Sequence, residues 1–540
     1  MIISPRVAAA SVLVWAKLIA ASASTPAAEV ELADGRGVAE WLSPSTFRIC
    51  RDWGENRRCA GPSAQPEVRV SRIETDTKIR FETRYLRVEL DKHTWAVQVW
   101  NREGVCILDE PEGPRQTSTG ASVRRRADLK ERFYGLGVHT EASVNLRGNV
   151  IDSDRPFLIS SRGYGVYHPQ PGRYVFDLAA SRPGEWRVTA LNQPVFEYWF
   201  YYGPTPKEIL EEHREVETPP PPLKRWQLGI LQPNQQPRAG WRLPVPKDWE
   251  GLRTSVFALV HGSLSGLLLP VLDLDLHDTA SLLVFRRAAQ LASLVPIVVS
   301  RIPGPQTMET ADILVHLRWL RQRWAHFFLS YADEIAGRGL PIIRPLPLQF
   351  PLDEQAANVA DQFMIGDEVL AAPVYGPNGC RKAYLPMGIW TEWHTNRVHQ
   401  GRRYVELCAS EDEMPLFVKN GSIIPIESDQ ELGLLEVHYF PRLAGEFFLF
   451  EPDVNDYTQL HAAPALDSLR LEIQSKVTRT YEWVLHHVSR VRQVTSDGKS
   501  LAPSPNRAAL ADGNWTQEGQ DLRVRVRVRA GRPYVLYVTF

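Results

Sequence analysis

The sequence predicts a multidomain chain of the β and α/β classes, on three observations. At 540 residues the chain exceeds the size of one hydrophobic core, which indicates three or four domains. Apolar and polar residues alternate in short runs from Val30 to about Tyr202, and again from about Glu427 to Phe540; both stretches are typical of β-sandwiches. Between them, apolar residues recur at helical spacing, which predicts an α/β layer.

The composition excludes some classes of partner. With 62 basic and 63 acidic residues the net charge is -1, so no overall field favours nucleic acid or an anionic membrane. Beyond the N-terminus no apolar run approaches the ~18 residues of a membrane span, and none is predicted. The 16 Trp and 17 Tyr residues would suit surfaces that stack on sugar rings; aromatic filling of sandwich cores is the alternative.

The N-terminus has the order of a secretory signal peptide. Arg6 precedes a mostly apolar run from Val7 to Ala16, and small residues follow around Ala23. A signal peptide over residues 1–28, and a secreted or periplasmic protein, are therefore predicted. Because Lys17 interrupts the apolar run, a frayed N-terminal extension is the alternative.

The five cysteines form an odd and sparse set: Cys50, Cys59, Cys106, Cys380 and Cys408. Cys50 and Cys59 could close a small loop in an exported protein. Their spacing matches no zinc pattern, so we expect no structural metal, and nothing in the sequence predicts a cofactor.

Four motifs follow one another over some eighty residues: FYGLG (Phe133–Gly137), VNLRG (Val144–Gly148), RPFLISSRGYGVY (Arg155–Tyr167) and EYWFYYGPTPKEILEEH (Glu197–His213). They resemble the N-terminal β-sandwich of glycoside hydrolase family 31, the α-glucosidase and α-xylosidase family. The resemblance implies a galactose-mutarotase-like sandwich over 29–218 that lends a loop to the rim of an active site. Asp152, Asp154 and Arg162 lie near where such a loop would leave. Asp154 and Arg162 are candidate substrate-binding residues, and turn or solvated residues are the alternative.

A helix is predicted to follow the fourth motif. Thr205 is its expected N-cap, Pro206 lies in its first turn, and Glu208 stands three residues after the cap. Pro219–Pro222 then predicts a stiff extended connector.

The segment 219–346 resembles a truncated (β/α)₈ barrel. In the family pattern Trp226 would open the barrel, which needs roughly 200 to 250 residues; only about 110 lie between Trp226 and the motif RGLPIIRPL, which begins at Arg338. The segments that resemble the last third of the family's barrel are Ala239–Trp241, Trp249–Gly266 and Ala288–Arg301. Either the remaining elements pack back as an open layer, or a partner chain covers them.

The resemblance leaves no residue in the two catalytic roles. The interval that should carry the nucleophilic aspartate is absent, and Leu243–Val245 occupies the place of the general acid. Asp248, the nearest acidic residue, is out of register. No catalytic residue is therefore assigned.

Asp273 matches the family aspartate that binds the sugar, and it joins Asp154, Arg162 and Trp241 as a candidate substrate-binding residue. Asp275 and Leu276 replace two glycines after it, which would crowd the ligand. The family's arginine and histidine that contact the sugar correspond to Val299 and Arg301. A new catalytic pair of Asp273 and Asp275 is disfavoured, because retaining hydrolysis needs carboxyl groups ~5 to 5.5 Å apart on opposite sides of the anomeric carbon.

The C-terminal third predicts one long helix and two sandwiches. Apolar residues at helical spacing from Ile313 to Ile335 predict one helix in the run that begins at Asp312, ended by Gly337 or Gly339. Asp361–Tyr375 and Met414–Ile426 resemble the family's proximal C-terminal sandwich, placed at 347–430; a distal sandwich is placed at 431–540. In LRVRVRVR near the C-terminus, arginines alternate with valines and are expected to form a solvated face, with binding of an acidic polymer as the alternative.

The sequence thus predicts a family 31-like protein of carbohydrate metabolism that does not hydrolyse glycosides and that binds an α-linked oligosaccharide or glycoside, or a protein partner. An inaccurately assembled gene product is an alternative explanation of the missing barrel interval. An active retaining α-glucosidase or α-xylosidase with unrecognised catalytic residues is the alternative. A purely structural scaffold is the third hypothesis.

Overall fold

A computed structural model describes residues 27–54, 59–60, 68–218, 220–235, 240–275, 279–301 and 307–540. The predicted signal peptide lies outside this part except for Ala27 and Ala28, which already belong to the first strand. Pro219, Ala239 and Leu276 also lie outside it.

The N-terminal region consists of antiparallel strands. Their bounds are β1 (Ala27–Leu32), β2 (Gly35–Trp41), β3 (Thr46–Trp53), β4 (Ser71–Glu74), β5 (Lys78–Glu82), β6 (Leu86–Asp91), β7 (Val97–Asn101), β8 (Cys106–Asp109), β9 (Arg115–Thr117), β10 (Gly120–Arg126), β11 (Phe133–Gly135), β12 (Val150–Ser153), β13 (Phe157–Ser160), β14 (Tyr164–Tyr167), β15 (Tyr174–Asp177), β16 (Glu185–Leu191) and β17 (Val195–Tyr202).

These strands form three sheets in the described region: β1-β2-β3-β17-β14-β13-β11, β12-β15-β16-β10-β9 and β4-β5-β6-β7-β8. Strands such as β6, β10 and β16 bury every second side chain, as the alternation predicts. Their buried residues meet in one core that joins all three sheets.

The middle of the chain combines helices with a small parallel sheet. Its elements are α1 (Pro206–Val216), a 3₁₀ turn (Arg225–Leu228), β18 (Ile230–Leu231), β19 (Trp241–Arg242), α2 (Trp249–Leu264), β20 (Pro270–Leu274), α3 (Leu282–Leu294), β21 (Ile297–Ser300), α4 (Met308–Arg323) and α5 (Ala325–Arg338). The described strands pair in the order β18-β21-β20-β19, all parallel. Every residue of β20 and β21 is buried within the single chain.

Two predictions about helices can be compared with the structure. The capping prediction for α1 is confirmed, since Glu208 accepts a hydrogen bond from the Thr205 backbone N–H at 2.9 Å. The prediction of one long helix is wrong, because Trp324 separates α4 from α5 with a ψ of 1°. Its ring packs against Trp393 at 5.5 Å, a contact between distant segments that local spacing does not reveal. Gly339 ends α5 at a φ of 69°.

The C-terminal region is again dominated by strands. Its elements are β22 (Ile343–Pro345), α6 (Leu346–Gln349), a 3₁₀ turn (Ala356–Asn358), β23 (Phe363–Ile365), β24 (Val369–Ala371), β25 (Cys380–Leu385), β26 (Ile389–Glu392), β27 (Val398–Gln400), β28 (Arg403–Cys408), β29 (Leu416–Lys419), β30 (Ile423–Glu427), β31 (Leu435–Tyr439), β32 (Gly445–Glu451), β33 (Asp456–Pro464), β34 (Ser468–Gln474), β35 (Arg479–Leu485), β36 (Gln493–Ser496), β37 (Lys499–Ser500), β38 (Ala502–Pro503), a 3₁₀ turn (Arg507–Ala509), β39 (Asn514–Glu518), β40 (Asp521–Val528) and β41 (Pro533–Thr539).

The sheets of this region are β22-β23-β24-β29-β26-β27, the pair β25-β28, β30-β31-β35-β40-β39-β38 and β32-β33-β34-β41-β36-β37. Strand β22 pairs with β23 although it lies before the boundary placed at residue 347. Strand β30 pairs with β31, so the boundary placed after residue 430 falls inside one sheet.

The arginine face of β40 is only partly the solvated face that the sequence predicts. Arg527 is exposed, but the side chains of Arg523 and Arg525 are 13% and 15% exposed, and both pair with Glu482, which is fully buried. The sequence did not reveal this pairing because the partner carboxylate lies on β35, more than forty residues earlier in the chain.

Two disulfides join described cysteines. Cys50–Cys59 closes the small loop that the sequence allowed. Cys380–Cys408 links opposite positions on β25 and β28. The thiol of Cys106 is free.

No helix in the described residues is both long and apolar enough to span a membrane.

Candidate functional site

The carboxyl ends of the parallel strands bring three charged side chains together. In α/β sheets ligand sites lie beyond this edge. Asp273 lies near the end of β20, Arg242 ends β19, and Arg301 follows β21 with its backbone N–H bonded to the Leu274 carbonyl at 2.9 Å. Their register places all three on one face of the sheet. We refer to Arg242, Asp273 and Arg301 as the carboxyl-edge triad.

Asp273 is the buried centre of this triad. It is 3% exposed, and its Oδ2 atom accepts hydrogen bonds from Arg242 Nη1 and, at 3.4 Å, from Arg301 Nη2. Its Oδ1 atom is buried and has no hydrogen-bond donor among the described residues. The two arginine side chains remain 37% and 44% exposed.

The acidic residues near this edge differ in their surroundings. Two guanidinium groups donate hydrogen bonds to the Oδ2 atom of Asp273. Asp275 directly follows the same strand, whereas a retaining mechanism needs a second carboxyl group across the sugar. Asp248 is engaged elsewhere, because its Oδ1 atom accepts a hydrogen bond from the Gly251 N–H at 2.7 Å and caps α2. What the triad offers chemically is a set of hydrogen-bonding and charged groups.

A cavity of about 530 Å³ lies at the opposite edge of the sheet, where β19 and β20 begin. Among the candidate residues it contains Asp154 and Trp241. Most of the wall comes from three distant parts of the chain: the start of β13, the end of α1 with the segment after it, and the connection from α2 to β20. The hydroxyl of Ser265 fixes that connection to the N-terminal sandwich, by bonds with the Gly137 N–H at 2.9 Å and carbonyl at 2.8 Å.

Aromatic rings form part of the cavity wall. The rings of Phe157 and His213 stack with centroids 4.1 Å apart, and Tyr167 packs edge-on against His213. Burial lowers the pKa of His213 to about 3, so its imidazole is neutral at physiological pH. The Tyr167 hydroxyl donates a hydrogen bond to the exposed Glu217. The cavity therefore offers apolar ring surface beside carboxylates, a mixture suited to small polar ligands.

The structure separates the four candidate substrate-binding residues. Asp154 and Trp241 share the cavity, and Asp273 lies at the other edge of the sheet. Arg162 lines neither place, and its guanidinium donates to the Cys106 carbonyl within the sandwich. Asp152, its neighbour in the expected loop, pairs with Arg173.

Trp241 is largely a packing residue. Its side chain is buried against Gly262, where an added Cβ would lie 2.4 Å from the indole ring. Its Nε1–H donates to the Leu267 carbonyl at 3.1 Å. Little of the ring face is left for a ligand.

Sequence reasoning missed four residues of these two places: Arg242, Tyr167, His213 and Glu217. Arg242 directly follows the Trp241 motif, but its role depends on the pairing of β19 with β20, which sequence spacing does not give. Tyr167 and His213 are the last residues of two of the quoted motifs, and their place in those motifs was the sequence signal that could have identified them.

Comparison with known proteins agrees with the motifs. Residues 339–424 match the family described as glycosyl hydrolase family 31 C-terminal domain. The chain is 28% identical over 200 residues to alpha-glucosidase 2 of Bacillus thermoamyloliquefaciens, covering 33% of this chain and 25% of that protein. It is 25% identical over 235 residues to an alpha-xylosidase of Saccharolobus solfataricus, covering 39% of this chain and 32% of that protein. The chain thus spans about a quarter to a third of the length of these relatives.

Solved structures share the fold. A family 31 dextranase of Flavobacterium johnsoniae, a variant in complex with isomaltotriose, matches with a TM-score of 0.80 at 14% identity, over 94% of this chain and 97% of that one. A cycloalternan-forming enzyme of Listeria monocytogenes, in complex with a pentasaccharide substrate, matches with a TM-score of 0.79 at 13% identity, over 93% of this chain and 74% of that one.

At these identities the structural likeness establishes a mostly β, multi-sheet fold of the kind seen in family 31 structures. Together with the matched C-terminal domain and the two curated relatives, it confirms the resemblance that the motifs predicted: this chain resembles proteins of glycoside hydrolase family 31.

Proposed function

We propose that this chain binds α-linked sugars without hydrolysing them. The observation that carries the proposal is the carboxyl-edge triad, in which Asp273 is held by Arg242 and Arg301 and no second carboxylate faces it from another described strand. A retaining glycosidase needs two facing carboxyl groups, one as nucleophile and one as general acid, and both steps are lost when that pair is absent. Binding requires only that hydrogen-bonding groups remain in place.

The strand order supports a truncated barrel as the origin of this layer. Strands β18-β21-β20-β19 form an unbroken parallel arc, and helices α2 and α3 connect β19 to β20 and β20 to β21. That is the order expected if the first strand of a (β/α)₈ barrel closed against its last three. In this proposal the domains are the N-terminal sandwich (29–218), the barrel remnant (219–346) and two C-terminal sandwiches (placed at 347–430 and 431–540), with β22 and β30 belonging to the sheets in which they pair. A protein that pairs with the edge strands β18 and β19 would be a further partner.

The ligand class is proposed from the same reasoning. The dextranase and the cycloalternan-forming enzyme were captured with an oligosaccharide. An α-linked oligosaccharide at the carboxyl edge would contact Asp273, and the cavity with Asp154 is a second place where a sugar ring could pack on aromatic surface. Arg162 and Trp241 remain predicted contacts.

An exported location fits the cysteine chemistry. Cys380 and Cys408 are both exposed, and their disulfide would be reduced in a cytosol rich in glutathione. We therefore keep the proposal that the protein is secreted or periplasmic.

The test combines turnover with binding. Purified protein is incubated with an aryl α-glucoside and an aryl α-xyloside, and isomaltotriose binding is measured by calorimetry. The proposal expects no turnover above the buffer rate and measurable binding that Asp273→Asn weakens, whereas the exposed control Asp467→Asn leaves it unchanged. Turnover that Asp273→Asn abolishes would establish an active glycosidase instead, and absence of binding would favour a purely structural role.

A further inference from the structure

A cavity of about 430 Å³ lies between helix α5, the turn that joins β23 to β24, and the hairpin of β32 and β33. None of the described residues that line it belongs to the carboxyl-edge triad or to the cavity with Asp154. The Phe447 ring of β32 stacks on Phe327 of α5 with centroids 5.6 Å apart, and the Phe450 N–H donates to the Ser330 hydroxyl at 3.0 Å. Contacts within the chain therefore hold the walls of this cavity in place.

Two aromatic rings form an apolar corner in the cavity. Successive side chains of a strand point to opposite faces, so Phe447 is buried while Phe448 beside it is 47% exposed. The ring of Tyr457 stands at 87° to that of Phe448, with centroids 6.5 Å apart. The Tyr457 hydroxyl donates a hydrogen bond to Asp333 on α5, which fixes the orientation of its ring.

Three carboxylates that line the cavity can accept further hydrogen bonds. In the hydrogen bonds and ion pairs that the described residues form with them, Asp333 uses only Oδ2, Asp367 only Oδ1 and Glu446 only Oε1. An ionised carboxylate has about four acceptor positions on its two oxygens. The cavity thus offers hydrogen-bond acceptors beside the apolar corner.

The deeper carboxylates already have cationic partners. Both oxygens of Glu334 pair with arginines, Oε1 with Arg338 at 2.6 Å and Oε2 with Arg344. Burial opposes ionisation of Asp367, but the charges of Arg344 and Lys207 lower its pKa well below the usual value, so it is an ionised acceptor. A ligand of this cavity therefore needs hydroxyl donors and an apolar face rather than a charge.

A ring with an apolar face and hydroxyl groups at its rim meets both needs, and the volume lies within the ~300 to 1,000 Å³ of small-molecule sites. We propose that this cavity binds a neutral saccharide, whose ring packs on Phe448 and Tyr457 while its hydroxyls donate to the three carboxylates. The class of sugar, an α-linked glucan, rests on the proposed function. The place of binding is new and does not depend on the triad.

Electrophoresis of the full chain through a native gel that contains dissolved dextran tests this site. The Asp273→Asn variant is the background, because it weakens binding at the triad. In this background dextran should still retard the protein, and Phe448→Ala should raise the apparent dissociation constant at least about threefold. Phe448→Tyr keeps a ring and should retain binding. Tyr404→Ala on β28 removes an aromatic side chain of similar exposure, 55%, outside the cavity and should leave the retardation unchanged.

The outcomes separate this site from the triad. Unchanged retardation in Phe448→Ala would overturn the inference. Loss of all retardation in Asp273→Asn would also overturn it and leave the proposed binding at the triad intact, whereas no retardation of the unmodified chain would overturn both. Aromatic rings beside carboxylates also suit organic cations. Displacement of dextran by tetramethylammonium chloride, but not by sodium chloride at the same concentration, would therefore identify a cation site and overturn the inference.

Discussion

Replacement of Arg125 by methionine should strongly destabilise the N-terminal sandwich. Arg125 on β10 and Glu110, which follows β8, are both fully buried, with Nη2 2.9 Å from Oε1. The Tyr198 hydroxyl donates to the same oxygen at 3.0 Å, and the Arg125 guanidinium lies over the rings of Trp186 and Tyr198. Methionine removes the cation and leaves Glu110 as a buried carboxyl group without its partner.

The magnitude follows from burial. Breaking a buried pair by removing one partner costs roughly 3 to 5 kcal/mol. The neighbouring residues provide a matched control, because Arg126 pairs with Asp109 at 3.3 Å but is 69% exposed. An exposed pair of this kind contributes about 0 to 1 kcal/mol. Arg125→Met should therefore destabilise the sandwich several times more than Arg126→Met.

Urea unfolding followed by tryptophan fluorescence measures both changes, and Trp186 reports on the site directly because its ring lies 4.7 Å from the Arg125 guanidinium. Equal shifts of the two variants, or a loss below about 1 kcal/mol for Arg125→Met, would show that burial of the pair does not govern its contribution.

Three further predictions concern the rest of the chain. Burial opposes ionisation of Glu436, but hydrogen bonds and charges, led by His438, outweigh it and lower its pKa to about 2 from 4.5. This stabilisation is complete above pH 4.5 and lost as the pH falls towards 2, so thermal unfolding of Glu436→Gln should depend less on pH in that window; an unchanged slope contradicts this. Replacement of both Cys380 and Cys408 by serine opens a loop of 28 residues and should cost roughly 3.5 kcal/mol in urea unfolding; no change would indicate that the bridge does not form. Buried Arg321 donates to four backbone carbonyls around β18 and β21, so Arg321→Met should lower stability by about 3 kcal/mol or more, and a loss within 0.5 kcal/mol would refute that role.

Local periodicity indicated the β character of the two strand-rich stretches. In β6 and β10, alternation of apolar and polar residues coincides with alternation of burial, since successive side chains of a strand point to opposite faces. The cap of α1 and the short Cys50–Cys59 loop could also be predicted from the sequence, because both depend on residues close together in the chain.

Features that depend on pairing between distant segments could not be predicted from the sequence. The break at Trp324 depends on its contact with Trp393, and the Cys380–Cys408 bridge depends on the register of β25 with β28. Arg525 was expected in solvent because its partner Glu482 lies on another strand. In each case the spacing of residues along the chain carries no information about the partner.

The candidate site likewise has one part that the sequence predicted and another that it did not. Asp273 was found because it stands within a motif, and its position near the end of β20 is the one expected of a ligand residue in an α/β sheet. The two arginines that hold it come from the neighbouring strands β19 and β21, so only the sheet order reveals the triad. The cavity with Asp154 is assembled from several distant segments of the chain, so the sequence could not predict it.

The proposal that this chain lacks a glycosidase nucleophile can be tested most directly by mass spectrometry. A 5-fluoro α-glucosyl fluoride forms a stable ester with the carboxylate nucleophile of a retaining enzyme. After prolonged incubation with this reagent, and with its xylosyl counterpart, the intact mass of this chain should be unchanged. A single glycosyl adduct on an aspartate or glutamate would reveal a working nucleophile and contradict the account.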